Sequence, residues 1–264
     1  MTTRTAQAIE FVLAEPATTV FATDFDGTVA AIVEDPTTAR AADGVAESLV
    51  RIAAALQRVA IISGRPVAFL RDRLGDEVAV SCALFGRYGA EELRPDGSIL
   101  RLGGGGELTA VVARLRQEAH SVDPRVLVED KSNSVTLHWR SVPEAESALR
   151  ELAGRQARES GLEMRGAKMS VELVHAGAPT KGSTVDRLLR ETTTACCFVG
   201  DDVGDLDAFD ALDRFASTAG RALRIAVASD EMPVELADRA DLVVSGPSAA
   251  AALLSRLASA LDAR

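Results

Sequence analysis

The residues best suited to chemistry begin with Thr23-Asp24-Phe25-Asp26-Gly27-Thr28, directly after the apolar run Val20-Phe21-Ala22. Two carboxylates two residues apart, on a turn at the carboxyl end of a buried strand, stand where open α/β sheets place their ligands. An EF-hand calcium loop would need a third Asp or Asn before the Gly, a downstream Glu and flanking helices. A plain Asp-Gly turn accounts for Asp26-Gly27 but leaves Asp24 unexplained. Further on, Ser63-Gly64-Arg65-Pro66 closes a second apolar run. It reads either as a capped helix start with Pro in the first turn, or as a hydroxyl, backbone N–H groups and a helix N-terminus offered to an anion.

Lys181, in Pro179-Thr180-Lys181-Gly182-Ser183, falls where a helix begins. A cation there opposes the helix dipole unless an anion lies nearby. The order Lys-Gly-Ser is not that of a P-loop, and the four glycines at 103–106 are far away, so a Walker nucleotide site is excluded. The last cluster is Gly200-Asp201-Asp202-Val203-Gly204-Asp205. Helix capping explains one of its carboxylates. Three at the end of a buried strand repel one another and raise one another's pKa unless a cation is present. Oxygen-only donors point to Mg²⁺.

These groups need a scaffold, and the hydropathy pattern supplies one. Short apolar runs at 20–23, 59–62, 78–85, 195–199, 224–228 and 242–245 read as strands. They alternate with amphipathic helices at about 44–56, 66–74, 181–190, 206–212 and 248–261, the pattern of a parallel sheet flanked by helices. The middle differs: helix at about 107–120, strands at 125–130 and 134–140, helix at about 144–160, strands at 162–164 and 170–174. Such an αββαββ unit forms a smaller α+β domain, giving expected boundaries of 1–102, 103–174 and 175–264. The glycine run reads as a linker or hinge.

Composition narrows the function. Of 264 residues, 47% are apolar and 26% charged, which suits a globular chain and not disorder or a coiled coil. Lys and Arg number 29 against 39 Asp and Glu, a net charge of -10 that argues against nucleic acid or an anionic membrane as partner. No apolar stretch reaches a membrane span, and Met1 to Pro16 lacks the apolar core of a secretory leader. Three cysteines, two of them adjacent, make no disulfide framework, so a reducing cytoplasm is expected. The only lysines are Lys131, Lys168 and Lys181, in a chain that otherwise uses Arg.

Taken in order, the four motifs resemble those of the haloacid-dehalogenase-like phosphohydrolases, with the middle unit as an α/β cap on a Rossmann-like core. Within that superfamily the chain is most similar to the trehalose-6-phosphate phosphatases. The matching segments are Asp24 to Thr28, Ser63 to Pro66, Val128 to Lys131, His138 to Arg140, Lys168 to Glu172, Lys181-Gly182 and Gly200 to Asp202. Three segments depart from that pattern: His175-Ala176, the Gly204 and Leu206 positions, and Phe85-Gly86-Arg87-Tyr88-Gly89. The resemblance implies a Mg²⁺-dependent hydrolase of a sugar phosphate, with Asp24 as nucleophile and Asp26 as general acid and base. Ser63 and Lys181 would hold the phosphoryl group. Asp24, Asp201 and the carbonyl of Asp26 would hold the metal, with Asp202 and Asp205 orienting its shell. Thr28, Gly64, Arg65 and Asp205 would line the phosphate end, Thr28 also supporting its loop. Glu129, Lys131 and Glu172 would meet glycosyl hydroxyls, with the cap closing at the glycine hinge. A monomer or weak homo-oligomer is expected. A related disaccharide or pseudo-disaccharide phosphate is the alternative substrate, and an idle sugar-phosphate sensor the alternative class.

Overall fold

The structure is a computed structural model that describes residues 2–102, 108–131, 134–167, 169–218, 220–230 and 232–264. The glycine run at 103–106 and Lys168 lie outside the described residues. The chain divides into two compact units: Met1–Leu102 with Pro179–Arg264, and Gly103–Ala178.

The larger unit opens with α1 (Thr3–Ala14), β1 (Thr19–Thr23), α2 (Val45–Ala55), β2 (Arg58–Ile62), α3 (Val67–Leu74), α4 (Asp76–Ser81) and β3 (Ala83–Gly86), then β4 (Glu91–Leu93) and β5 (Ile99–Arg101). The smaller unit comprises α5 (Thr109–Val122), β6 (Leu127–Asp130), β7 (Ser134–His138), α6 (Glu146–Ser160), β8 (Leu162–Ala167) and β9 (Ser170–His175). The larger unit then resumes with α7 (Lys181–Leu188), β10 (Ala195–Gly200), α8 (Leu206–Ala216), β11 (Arg221–Ala228), α9 (Val234–Arg239), β12 (Leu242–Ser245) and α10 (Gly246–Asp262).

Eight strands of the larger unit form one sheet in the order β12-β11-β10-β1-β2-β3-β4-β5, parallel from β12 to β3. The strand β1 is buried at every position, as a central parallel strand must be when helices cover both faces. Its side chains alternate. Phe21 joins Ile9, Leu49 and Leu254 from α1, α2 and α10, while Val20 and Ala22 join Val185 and Phe209 from α7 and α8. The adjacent Cys196 and Cys197 likewise enter opposite layers, and both are free thiols. From β1 the chain proceeds to β2 and β3 on one side, and after the smaller unit to β10, β11 and β12 on the other. The order thus reverses between β1 and β10, the position where such sheets open a ligand crevice at their carboxyl ends.

The smaller unit has four antiparallel strands in the order β6-β7-β9-β8. One face packs Val128, Val135, Leu137, Val171 and Leu173 with residues of α5 and α6 around the fully buried Trp139. His175 still pairs with Leu162, so β9 runs past the expected boundary at 174 and the unit ends at Ala178.

One expected element is wrong. The apolar run 78–85, read as a strand, is the short helix α4 followed by β3. Asp76 and Glu77 favour a helix start through the dipole, and a short apolar run does not by itself separate helix from strand. Val78 is buried whereas Val80 is 88% exposed, which two residues on one strand face would not be. The helix α1 and the hairpin β4–β5 were not anticipated. Among the described residues no helix is long and apolar enough to cross a membrane. In urea unfolding, Val78→Ala should cost about 1–3 kcal/mol and Val80→Ala about 0.5 kcal/mol or less. Equal losses would contradict the helix.

Candidate active site

The site forms where the ends of β1 and β10 meet. The Asp24 N–H donates to the Val199 carbonyl at 2.9 Å, which fixes the first motif to β10. The turn that follows is closed by Gly27 N–H to Ala30 O at 2.7 Å, with Gly27 at φ 78°. A Cβ at Gly27 would lie 2.0 Å from Asp201 Oδ2, so only glycine admits the Asp201 carboxylate. Thr28 then grips the same group, its hydroxyl donating to Asp201 Oδ1 at 2.9 Å. Thr28 is fully buried and supports the acidic loop through this bond.

Lys181 is the centre of the charge cluster. It opens α7 behind a capping box of Thr180 and Ser183. Its ammonium lies 2.6 Å from Asp205 Oδ1, 3.1 Å from Asp24 Oδ2 and 3.9 Å from Asp202 Oδ1. Burial opposes the Lys181 charge, but Asp205, Asp24 and Asp202 overcome it and hold the pKa well above its ordinary value. The carboxylates behave differently. Burial raises Asp24 well above the usual range, Lys181 lowers it, and Asp205 and Asp201 add to the rise. Burial also pushes Asp205 up to about 7, against the opposing pull of Lys181.

Asp205 is fully buried, with Oδ1 on Lys181 and Oδ2 accepting from the Asp201 and Asp202 N–H groups at 2.8 and 3.0 Å. It anchors Lys181 and the acidic turn. Asp202 accepts from Gly204 N–H at 2.8 Å, so the capping reading holds for that residue.

Carboxylate oxygens of Asp24, Asp201 and Asp205 lie within 4.8 Å of one another. Asp24 and Asp201 belong to the expected metal set, whose other members are Asp26, through its carbonyl, and Asp202; the Asp26 carboxylate turns to Arg65, and Asp202 caps the turn. Because Asp205 already serves Lys181 and two N–H groups, Asp24 and Asp201 are the buried carboxylates best suited to an ion. Three carboxylates share the one ammonium, Asp201 lies beside them, and the cluster offers only oxygen donors. That donor set fits a hard divalent cation.

The Ser63 loop completes the site. Ser63 is buried, and its N–H donates to Phe85 O at 3.0 Å. Its hydroxyl does not cap α3: Pro66 holds the N-cap position, and Glu91 Oε2 accepts from the Val67 N–H at 2.9 Å. Ser63 Oγ instead accepts from Arg65 N–H at 3.2 Å. Arg65 forks onto both oxygens of Asp26, at 2.7 and 2.8 Å, while its guanidinium stacks 4.7 Å over Phe69. The sequence reading missed this pairing, and gave Tyr88 only as part of the departing segment Phe85 to Gly89. Tyr88 adopts φ 59° beside Arg87 at φ 50°, and its ring packs so closely that a Cβ on Gly64 would lie 2.8 Å from it. Tyr88 N–H bonds Ser63 O, and Thr184 bonds Tyr88 O, which holds the strained turn. The one usable signal was composition, since this is the chain's single tyrosine.

In the smaller unit the three expected residues form a separate polar cluster. Glu172 is buried and accepts from Ser134 at 2.6 Å and Lys131 at 3.2 Å. Lys131 lies 3.9 Å from Glu129, which pairs with His138 at 3.0 Å. Ser134 and His138 were not anticipated.

A parallel sheet with acidic groups at the β1 and β10 ends, plus an α+β unit between the Ser63 and Lys181 motifs, defines the haloacid-dehalogenase-like fold. A haloacid dehalogenase-like hydrolase from Bacteroides thetaiotaomicron superposes with TM-score 0.62 over 90% of this chain and 99% of that one, at 15% identity. The chain belongs to the trehalose-phosphatase family, which it matches over residues 22–240. It is 34% identical over 204 residues to the trehalose-phosphate phosphatase of Mycolicibacterium paratuberculosis, covering 72% of this chain and 50% of that protein. The chain thus spans about half the length of that relative. The C-terminal domain of Candida albicans trehalose-6-phosphate phosphatase shares the fold at TM-score 0.81 and 21% identity, covering 98% of this chain and 97% of that one.

Two outcomes follow from the geometry. Gly27→Ala should weaken divalent-cation binding in titration calorimetry by about tenfold or more, because the new Cβ displaces Asp201. The second concerns protons. A folded-state Asp205 near 7 keeps its proton after the unfolded carboxyl, near 3.8, has lost it. In chelator, this group's contribution to stability should therefore fall as pH rises from about 4 to about 7. Urea midpoints across that range check it, and added Mg²⁺ should flatten the slope.

Proposed function

We propose that the chain is a Mg²⁺-dependent phosphatase that hydrolyses trehalose 6-phosphate to trehalose and phosphate. The observation that carries this reading is the buried Asp24 carboxylate 3.1 Å from the Lys181 ammonium at the end of β1. A carboxylate so placed is a nucleophile beside a cation that can hold a transferring phosphoryl oxygen. Family membership supplies the phosphate ester.

Asp24 attacks phosphorus, the bond from phosphorus to the sugar oxygen breaks, and Asp26 protonates the departing alkoxide. Asp26 then removes a proton from water, which attacks phosphorus and releases phosphate from Asp24. Arg65 donates to both Asp26 oxygens, a contact that favours the ionised carboxylate, so one arm of this fork opens for Asp26 to carry the proton it delivers. Lys181 and Ser63 stabilise the phosphoryl oxygens electrostatically. A divalent cation on Asp24 and Asp201, together with the Asp26 carbonyl, would neutralise the charge between nucleophile and phosphate. Glu129, Lys131 and Glu172 take the glycosyl hydroxyls, for which charged groups on a polar sheet face are suited. Such a reaction on a soluble metabolite suits the cytoplasm and a chain that works as a monomer or weak oligomer. It needs neither nucleic acid nor membrane.

A second reading keeps the chemistry and changes the sugar to a related disaccharide or pseudo-disaccharide phosphate. Tyr88 favours it, because a bulky ring stands against Gly64 in the loop beside Ser63. An idle sensor is disfavoured by the intact set of Asp24, Asp26, Ser63, Lys181 and Asp201.

Phosphate release from a panel of sugar phosphates, with and without Mg²⁺, is the direct test. Trehalose 6-phosphate should give the highest kcat/KM, and silence on every ester would sink the proposal. Asp24→Asn should lower kcat by about three orders of magnitude or more while sugar-phosphate binding persists in calorimetry.

A further inference from the structure

In the smaller unit, sheet register sets Glu129, Thr136, Glu172 and Arg165 in one row across β6, β7, β9 and β8. Directly paired residues share a face of an antiparallel sheet. Their strand neighbours Val128, Val135, Leu137, Val171 and Leu173 enter the apolar core, so the row lies on the opposite, polar face. Thr136 sits in this row between two glutamates. It is 2% exposed, and its hydroxyl has no hydrogen-bond partner.

That hydroxyl is an anomaly. Its neighbour Glu172 is satisfied by Ser134 and Lys131, and Glu129 pairs with His138. Buried polar groups in folded proteins are nearly always paired, because desolvation without a partner is costly. Valine would fill the same shape, favour a strand and avoid the cost. A threonine whose hydroxyl serves nothing within the fold is suited to a ligand. We propose that Thr136 is a specificity-determining residue whose hydroxyl bonds a hydroxyl of the neutral sugar part of the substrate.

The chemistry of the row supports this class of ligand. Ionised Glu129 and Glu172 only accept, whereas Thr136 between them donates and accepts. A sugar presents neighbouring hydroxyls that each donate and accept, so one can donate to a glutamate while the next exchanges a bond with Thr136. This inference rests on the sugar-phosphate reading above and adds a residue to it.

The test compares kcat/KM for trehalose 6-phosphate with that for p-nitrophenyl phosphate, an ester without sugar hydroxyls, in the Mg²⁺-loaded full chain. Thr136→Val should lower the ratio of the two by about fivefold to tenfold, chiefly through KM for the sugar ester, the loss expected for one neutral hydrogen bond. Thr136→Ser, which keeps the hydroxyl, should bring the ratio back to within about twofold of the parent. Thermal unfolding separates this from a structural role: Thr136→Val should melt no lower than the parent. An unchanged ratio, as when a water satisfies the hydroxyl, overturns the assignment; so does a lowered Tm with no rescue by serine. A parent chain that cleaves p-nitrophenyl phosphate but no disaccharide phosphate overturns the substrate reading and Thr136 with it. A parent that prefers the sugar ester while Thr136→Val prefers it equally overturns Thr136 alone.

Discussion

The larger unit depends on the burial of one ammonium among carboxylates. Taking Lys181 and Asp205 out of water is expensive, and their mutual attraction repays it only when the geometry is good and remaining donors and acceptors are filled. Here Asp205 Oδ1 meets the ammonium at 2.6 Å and Oδ2 takes two backbone N–H groups. That arrangement fixes the start of α7, the turn after β10 and, through Asp24, the end of β1 in a single constraint. Breaking any arm strands a buried charge, which typically costs about 3–5 kcal/mol. Function and folding therefore pull against each other at this point. The proposed role of Asp24 as nucleophile needs its ionised form, yet burial favours the protonated one.

The sheet makes such a concentration of charge possible. Parallel strands end together, and β1 and β10 are neighbours only because the chain turns outward in both directions from them. Residues 24 and 201 are far apart in sequence but lie at the ends of paired strands, with Thr23 opposite Val199. Small residues then set how closely the loops approach. At Gly27 the Asp201 carboxylate occupies the space a side chain would need, and at Gly64 the Tyr88 ring does. The loops of the candidate site are thus packed against each other like core elements, with the rigidity that close packing brings.

Much of this was legible in the sequence, for a physical reason. Strand ends in an α/β protein are marked locally by an apolar run followed by polar residues and a glycine, so Asp24, Ser63 and Asp201 could be found without tertiary information, and Lys181 by its misfit at a helix start. The roles of Thr28 and Asp205 could not. Both carry the right chemistry for a ligand, but their partners, Asp201 and Lys181, come from other loops. The Arg65 fork on Asp26 is hidden for the same reason, since 39 positions separate the two residues. Helix α4 was missed because Val78 and Val80 look alike in a one-dimensional pattern and differ only in what covers them. Local rules find the groups; only packing says which of them face a ligand and which face each other.

The division of labour between the two cations follows the same logic. The chain uses arginine for almost every basic position, and where a planar fork suits the partner it does so even in the site, as Arg65 does with both oxygens of Asp26. Guanidinium geometry matches one carboxylate edge and fixes its orientation. It would not serve at 181. There one compact charge lies within 3.9 Å of three carboxylates from different loops. A rotatable ammonium with three donors satisfies such a convergence, and a rigid fork does not. Lys131 meets a similar demand in the smaller unit, lying between Glu172 and Glu129 at 3.2 and 3.9 Å. Both lysines among the described residues therefore stand where more than one carboxylate shares one charge.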